Sequence, residues 1–368
     1  MEIQNIGIAL SGGGIRATIF HLGVFKWLAE NNLLEEVKRV SSVSGASLCV
    51  GLIYSHNGLK WPTSKEFLAS VLPAIERTLT TTDLQSSALL RLIISPYYWN
   101  KKVNMIAKML EREWGVHGNL SELSGDMQWY INCTTYETGK RFRFCKDNMG
   151  DYTVGYADKP HISLSIVMAA SAGFPALIGP YRLKTEDYKW KPSKHPKAGQ
   201  MQSNKGTLHL WDGGVYDNLG LESVFKPDNG GTLSKGLDYL IVSNASPAIN
   251  VYHRQSGLSA RNLKRLLDIS MDQVTALRTR MVMDFFKQSQ KGMYIKIGNS
   301  AEYIASKAEH QMNTEDHLLD KYLSDKEVHR AMNYPTTLRR PTEPDYSLLL
   351  RHGHETIECT YLCHCIKE

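Results

Sequence analysis

The first fifty residues constrain the fold most, because short apolar runs alternate there with helical periodicity. Ile6-Gly7-Ile8-Ala9-Leu10 is apolar throughout, as a strand covered on both faces must be, and a glycine turn, Ser11-Gly12-Gly13-Gly14, follows it. Ala17 to Asn31 then carries Phe20, Val24, Trp27 and Leu28 at helical spacing; Val37 to Val43 reads as a second strand and Gly45 to Tyr54 as a second helix. Strand-helix-strand-helix order makes the two strands parallel and packs helices on the sheet. Further along, helices are expected over Phe67 to Leu79, Leu84 to Ile94 (closed by Pro96) and Val103 to Trp114. Strands are expected over Met127 to Tyr136 and Arg141 to Cys145, then a small-residue helix from Ser163 to Ala172 that ends at Gly173-Phe174-Pro175. Leu183 to Thr207 reads as a polar surface loop, Leu237 to Val242 as a core strand and Leu263 to Gln288 as a long helix. No repeat or low-complexity linker divides the 368 residues, so a single α/β domain is expected. Its form is a three-layer sandwich, a mostly parallel central sheet flanked by helices, with the cleft at the strands' C-terminal ends. Residues 246–368 are expected to pack on it as a helical and strand extension.

Composition removes several classes. Hydrophobic residues make up 42% and charged ones 22%, as in ordinary globular chains, and no run reaches the length of uncharged apolar residues that a membrane span needs. Met1-Glu2-Ile3-Gln4-Asn5 lacks the basic start of a secretory signal, so a cytoplasmic protein is expected, its six cysteines reduced. The net charge of +6 comes without a basic run or basic-aromatic alternation, which argues against a nucleic-acid polymer as partner. Cys359, Cys363, His364 and Cys365 have a zinc-like look, but on a strand Cys363 and Cys365 face away from His364. The segment is therefore read as a buried strand, and neither a metal nor a cofactor is expected.

Three clusters carry chemistry. Gly12-Gly13-Gly14-Ile15-Arg16 joins a strand to a helix, where closely approaching amides can cradle a phosphate or an oxyanion. It lacks the Gly-Lys-Ser/Thr of a Walker loop; as a dinucleotide turn, Gly12-x-Gly14-x-x-Ala17 fits loosely, with Glu35 and Glu36 available for the ribose. Ser44 stands at the turn between a strand and Gly45-Ala46-Ser47, which suits an exposed nucleophile on an elbow, although a helix N-cap uses serine in the same place. The flanking positions where elbows carry glycine hold Ser42 and Ala46. Asp212-Gly213-Gly214 closes a strand, either as a carboxylate aimed into a cleft or as hairpin punctuation.

In this order the clusters resemble the patatin-like phospholipase family. Gly12, Gly13, Gly14 and Arg16 match its oxyanion loop, Ser44 its nucleophile elbow about thirty residues on, and Asp212 to Gly214 its Asp-Gly-Gly motif. The helix Ala169-Ala170-Ser171-Ala172-Gly173-Phe174-Pro175 is similar to the family's segment upstream of the aspartate, and the likeness spans roughly residues 5–245. The resemblance implies a Ser44–Asp212 dyad that cleaves lipid acyl esters, phospholipids above all, through an acyl-enzyme. It implies oxyanion donors from Gly12, Gly13, Gly14 and Gly45, with Arg16, Gly213 and Gly214 in support. Ser42, Ala17 and Ala46 depart from glycines common in the family, and Ala46 adds a methyl beside the nucleophile. A histidine triad through His21, His161 or His209 is the competing mechanism. A soluble esterase or thioesterase and a non-catalytic lipid-binding protein are the competing functions.

A lipid substrate implies peripheral membrane contact. Leu84 to Trp99, with Tyr97, Tyr98 and Trp99 near Arg91, Lys101 and Lys102, has the composition for it, but apolar stripes more often pack inward and a core helix is the preferred reading. Bacterial members include signal-activated effectors of antiviral defence; no residue pattern here identifies an activating ligand or partner.

Overall fold

The computed structural model describes residues 3–175, 178–191, 206–228, 231–247, 260–308 and 321–364. β1 (Ile6–Leu10), α1 (Gly14–Glu30), β2 (Val37–Val43) and α2 (Gly45–Ser55) open the chain. α3 (Ser64–Glu66) and α4 (Leu72–Thr81) are joined by a π turn, and α5 (Leu84–Ile94) and α6 (Lys102–Trp114) follow. Next come β3 (Gln128–Thr135), β4 (Arg141–Phe144), β5 (Asn148–Asp151), β6 (Gly155–Asp158), α7 (Leu164–Ser171), β7 (Tyr181–Lys184), β8 (Trp190–Lys191), β9 (Thr207–Asp212) and α8 (Gly214–Asp217). The short pair β10 (Phe225–Lys226) and β11 (Thr232–Leu233) precedes β12 (Tyr239–Asn244), α9 (Ala260–Ser289) and β13 (Gly292–Lys296). α10 (Ala301–Ser306), α11 (Asp325–Met332) and α12 (Glu343–His364) complete the described elements.

One large sheet runs in the order β13-β12-β1-β2-β3-β4-β5-β6-β8, with parallel pairing from β13 to β3 and antiparallel pairing beyond. The strand period of two sorts its parallel half between two cores. Ile6, Ile8, Leu10, Tyr239 and Ile241 face the larger core, built with α1, α2 and α12. Ala9, Leu240 and Val242 face the smaller one, closed by Val282 and Phe286 of α9. This is the expected three-layer α/β arrangement.

β9 enters the sheet in a way that matters for the site. Asn132 of β3 pairs with Val43, the last residue of β2, and the next residue, Cys133, pairs with Asp212, the last residue of β9. Cys133 and Thr134 also pair with β4, so β9 must occupy the edge of β3 that β2 occupies lower down. Two strands running in opposite directions thus meet end to end against one edge of β3.

Two expectations are corrected. Leu183 and Lys184, the expected start of a loop, end strand β7, which pairs with β9, and Trp190–Lys191 within the same expected loop is strand β8, paired with β6; only Leu183 on β7 is buried, so its apolar signal is faint. Residues 192–205 of that loop lie outside the described residues. The second correction concerns Cys359 and Cys363, which lie on helix α12 and not on a strand; Cys365 is outside the described residues. Thr342 caps this helix through Asp345 (3.2 Å), and its inner face repeats at helical spacing through Tyr346, Leu349, Gly353, Thr356, Ile357 and Thr360. Polar and glycine positions on that face hide the period from a short window at the C-terminus.

α12 lies backbone to backbone against α1. A Cβ at Gly353 would stand 2.0 Å from the Phe20 carbonyl oxygen, and one at Gly23 would stand 2.1 Å from that of Leu350. Gly353→Ala is therefore expected to cost about 1–3 kcal/mol in urea unfolding, because both helices must separate. Gly125→Ala, where only the Lys146 ammonium comes within 3.9 Å, should change stability by less than about 0.5 kcal/mol.

Candidate active site

β2 ends at Val43 and α2 begins at Gly45, which leaves Ser44 to make the whole turn at φ 53° and ψ −118°. A residue with a Cβ holds such a conformation only at a cost of about 1–3 kcal/mol, so surrounding bonds must fix it. The Ser44 amide donates to Ser171 Oγ (3.0 Å), and its carbonyl accepts from the amides of Ser47 (2.8 Å) and Leu48 (3.2 Å).

Behind the elbow runs a directional chain of buried hydroxyls. Trp129 Nε1–H donates to Ser42 Oγ (2.8 Å), Ser42 to Ser47 (2.9 Å), Ser47 to Ser171 (2.8 Å), and Ser171 to the Asn132 carbonyl (2.8 Å). Every hydroxyl in it both gives and receives, as buried polar groups must. This accounts for Ser42 where a glycine is common: its side chain points into the chain of bonds and away from the cleft. Ala46 is fully buried in the larger core.

The glycine loop touches the elbow directly. A Cβ on Gly45 would lie 2.2 Å from the Gly14 carbonyl oxygen, and one on Gly12 would lie 2.9 Å from Ser44 Cβ. Gly14 has φ +60°, and Thr337 covers it so closely that a Cβ would meet the Thr337 oxygen at 2.7 Å. The Gly12 amide donates to the Asn218 carbonyl (3.3 Å) and that of Ile15 to Thr337 (2.9 Å). Among the described residues the amides of Gly13, Gly14 and Gly45 have no protein acceptor. Of the four expected donors, Gly12 is therefore already engaged. Arg16 is buried and holds the loop in place, with Nε on the Ala245 carbonyl (3.2 Å) and Nη1 on that of Tyr334 (2.5 Å).

Asp212 arrives from the opposite side at 4% exposure. Its amide donates to the Gly173 carbonyl (3.0 Å), and its own carbonyl accepts from Thr134 Oγ1 (2.9 Å). The small-residue segment thus serves both partners, Ser171 fixing the elbow and Gly173 the aspartate. Asp212 Oδ1 accepts the Gly214 amide (2.7 Å), and the Ser44 side chain lies close enough to the same carboxyl group to draw its pKa down. Burial raises this carboxyl from 3.8 to about 6, and the Gly214 amide and Ser44 hydroxyl oppose the shift. Gly213 packs on Asn132, whose carbonyl oxygen a Cβ would meet at 2.4 Å. The turn beyond is tied to α9: Asp217 accepts from the amides of Leu219 (3.0 Å) and Leu221 (2.8 Å) and pairs with Arg278 (3.4 Å).

The histidines are committed elsewhere. His21 is fully buried with its ring nitrogens on Ser243 Oγ (3.0 Å) and the Ser11 carbonyl (2.9 Å), His209 Nδ1 pairs with Glu137 (2.6 Å), and His161 is exposed. The structure brings together Ser44, Asp212, Gly12 to Gly14, Gly45, Gly213 and Gly214, and sets Arg16 behind the loop. Sequence reasoning passed over Ser171, Asn132 and Asn218. Ser171 lay within a motif already singled out, and its one polar side chain in an Ala-Ala-Ser-Ala run was the available signal.

Fold and site together define a class: an α/β domain in which a serine on a strand-to-helix elbow and a glycine loop stand beside a buried aspartate. The chain belongs to the patatin-like phospholipase family, whose model matches residues 8–225, more than half its length. Among solved structures it is similar to human GIVD cytosolic phospholipase A2, at TM-score 0.54 and 12% identity, covering 97% of this chain and 61% of that one. A second structure of that protein, in complex with methyl gamma-linolenyl fluorophosphonate inhibitor and terbium chloride, aligns at TM-score 0.51 and 14% identity over 97% of this chain and 57% of that one. At such identity the likeness is one of fold, and the chain spans about three fifths of the human protein's length. No curated protein sequence matches it significantly.

Two outcomes follow from this geometry. Below about pH 3.8 the Asp212 carboxyl is protonated in folded and unfolded chains alike; as pH rises through about 6 it ionises at a burial cost that the unfolded chain escapes. Asp212→Asn should therefore unfold at higher denaturant than wild type at pH 8, by up to about 3 kcal/mol, with the gap closing toward pH 4. Equal stability at pH 8 would contradict this. Ser171→Ala strips the elbow amide and the Ser47 hydroxyl of their acceptor and should cost about 1–3 kcal/mol in the same assay.

Proposed function

We propose that the protein hydrolyses acyl esters of glycerophospholipids through a Ser44–Asp212 dyad and an acyl-enzyme. The observation that carries this reading is the junction on β3, which sets the Ser44 elbow beside the buried Asp212 carboxyl, whose pKa burial raises to about 6. Such a group is ionised at neutral pH yet more basic than an ordinary carboxylate, which suits a general base acting without histidine. Ser44 Oγ attacks the ester carbonyl as its proton passes to Asp212. The amides of Gly13, Gly14 and Gly45 receive the tetrahedral oxyanion, each donor contributing about 3–4 kcal/mol to the transition state. Collapse expels the lysophospholipid alcohol, which takes the proton back from Asp212. A water then gives its proton to Asp212, attacks the acyl-enzyme, and the fatty acid leaves as Ser44 regains its proton.

Each part of the site has a task in this scheme. The strained elbow presents the hydroxyl at the end of β2, Gly213 and Gly214 let Asn132 and Asn218 close in around the carboxylate turn, and Arg16 keeps the glycine loop from collapsing. The substrate is met at a bilayer surface; no helix among the described residues is long and apolar enough to cross a membrane.

Ser44→Ala and Asp212→Asn, both folded, are expected to lose about 10³-fold or more of phospholipid hydrolysis, followed by fatty-acid release. Wild-type kcat/KM should fall on the acid side with an apparent pKa of about 6. An Asp212→Asn enzyme within tenfold of wild type would reject the dyad.

A further inference from the structure

α5 buries only Leu84 and Ala88 along its length. Its outer side and the turn after it expose Leu89, Leu90, Ile93, Ile94, Tyr97 and Trp99, with Ile93 at 74%. The core-helix reading of this segment is thus overturned: one narrow stripe packs inward, and a wider apolar face is left to solvent. Monomeric proteins rarely leave such a face uncovered without a use for it. From this face we propose that α5 and the Tyr97–Trp99 turn are the surface by which the protein docks on anionic lipid bilayers.

Charge selects the occupant. Between residues 84 and 102 there is no Asp or Glu, while Arg91 falls within the apolar segment and Lys101 and Lys102 follow it. A second copy seated on the same face by two-fold symmetry would set Arg91 and Lys101 against cations of the same segment. Anionic headgroups supply charge of the opposite sign, the acyl region takes the aliphatic side chains, and Tyr97 and Trp99 have the amphipathic rings that settle at the interface. The Lys101 ammonium lies 4.1 Å from the Tyr97 ring centroid, so cation and aromatic form one edge. α9 offers the contrast: it also exposes Leu263, Leu266 and Leu277, but Asp268, Asp272 and Asp284 are spread along the same helix.

The face is joined to the glycine loop. At its inner end Gln85 Oε1 accepts from Thr337 Oγ1 (2.5 Å) and the Leu338 amide (3.1 Å), and the Thr337 carbonyl holds the Ile15 amide (2.9 Å) over Gly14. A bilayer seated on α5 therefore lies one short segment from the amides offered to the substrate.

The identity of the partner rests on the lipid-hydrolase reading, and the two fail separately in one experiment. Full-length Ser44→Ala protein, which leaves lipid intact, is sedimented with phosphatidylcholine vesicles with and without phosphatidylglycerol. Phosphatidylglycerol should tighten binding at least tenfold, and added salt should reverse the gain. Ile93→Asp/Ile94→Asp should weaken binding at least tenfold and, in the Ser44 protein, lower vesicle hydrolysis while leaving a short soluble ester unaffected. Should that pair fail to fold, Arg91→Glu/Lys101→Glu, at two half-buried charges, is expected to abolish the phosphatidylglycerol preference. Undiminished vesicle binding in the folded variants overturns the proposal. So does a dimer, seen by sedimentation velocity, that the α5 substitutions dissociate without affecting vesicle binding. Binding through α5 by a protein that hydrolyses nothing would leave the docking surface standing and remove the dyad.

Discussion

The site depends on one edge of one strand. β3 pairs with β2 up to Asn132 and with β9 from Cys133 onward, and it does both on the same side because β4 occupies the other. β2 must leave at Ser44 to make room, and β9 must stop at Asp212 for the same reason. Hydrogen-bond register alone therefore sets a hydroxyl opposite a carboxylate that lies 168 positions further along the chain.

That junction is held by groups with little freedom. Ser171 is both acceptor for the strained elbow and donor to the Asn132 carbonyl, and Asn132 in turn lies under Gly213. Asn218 closes the other side: its carbonyl takes the Gly12 amide, and its Oδ1 lies 2.7 Å from where a Cβ of either Gly12 or Gly214 would be. The strain at Ser44 and the burial of Asp212 each cost stability, and the surrounding network offsets both. Burial is also what raises the Asp212 pKa, so the same feature that weakens the fold makes this carboxylate more basic.

Much of this was legible from local pattern. β1, β2 and α5 fell on the expected residues because apolar runs and helical spacing are strong where elements are buried or regularly periodic. The glycine loop, Ser44 and Asp-Gly-Gly were legible because close backbone approach leaves few residue types free. What escaped was set by tertiary contact. β7 is half exposed, α12 carries His, Gly and Thr on its inner face, and the serine chain behind the elbow consists of residues that look like ordinary small polar ones. The outward face of α5 had the same periodicity an inward one would have, and only the positions of its neighbours distinguish the two.

The central claim is that Ser44 carries the acyl group between the two half-reactions. Acid-quenching the wild-type protein during turnover of a phospholipid, then digesting it and mapping masses, tests this directly. An acyl adduct on the peptide bearing Ser44, localised to that residue and absent from Ser44→Ala, is the expected result. Turnover with the adduct on another residue, such as Ser47, would contradict it.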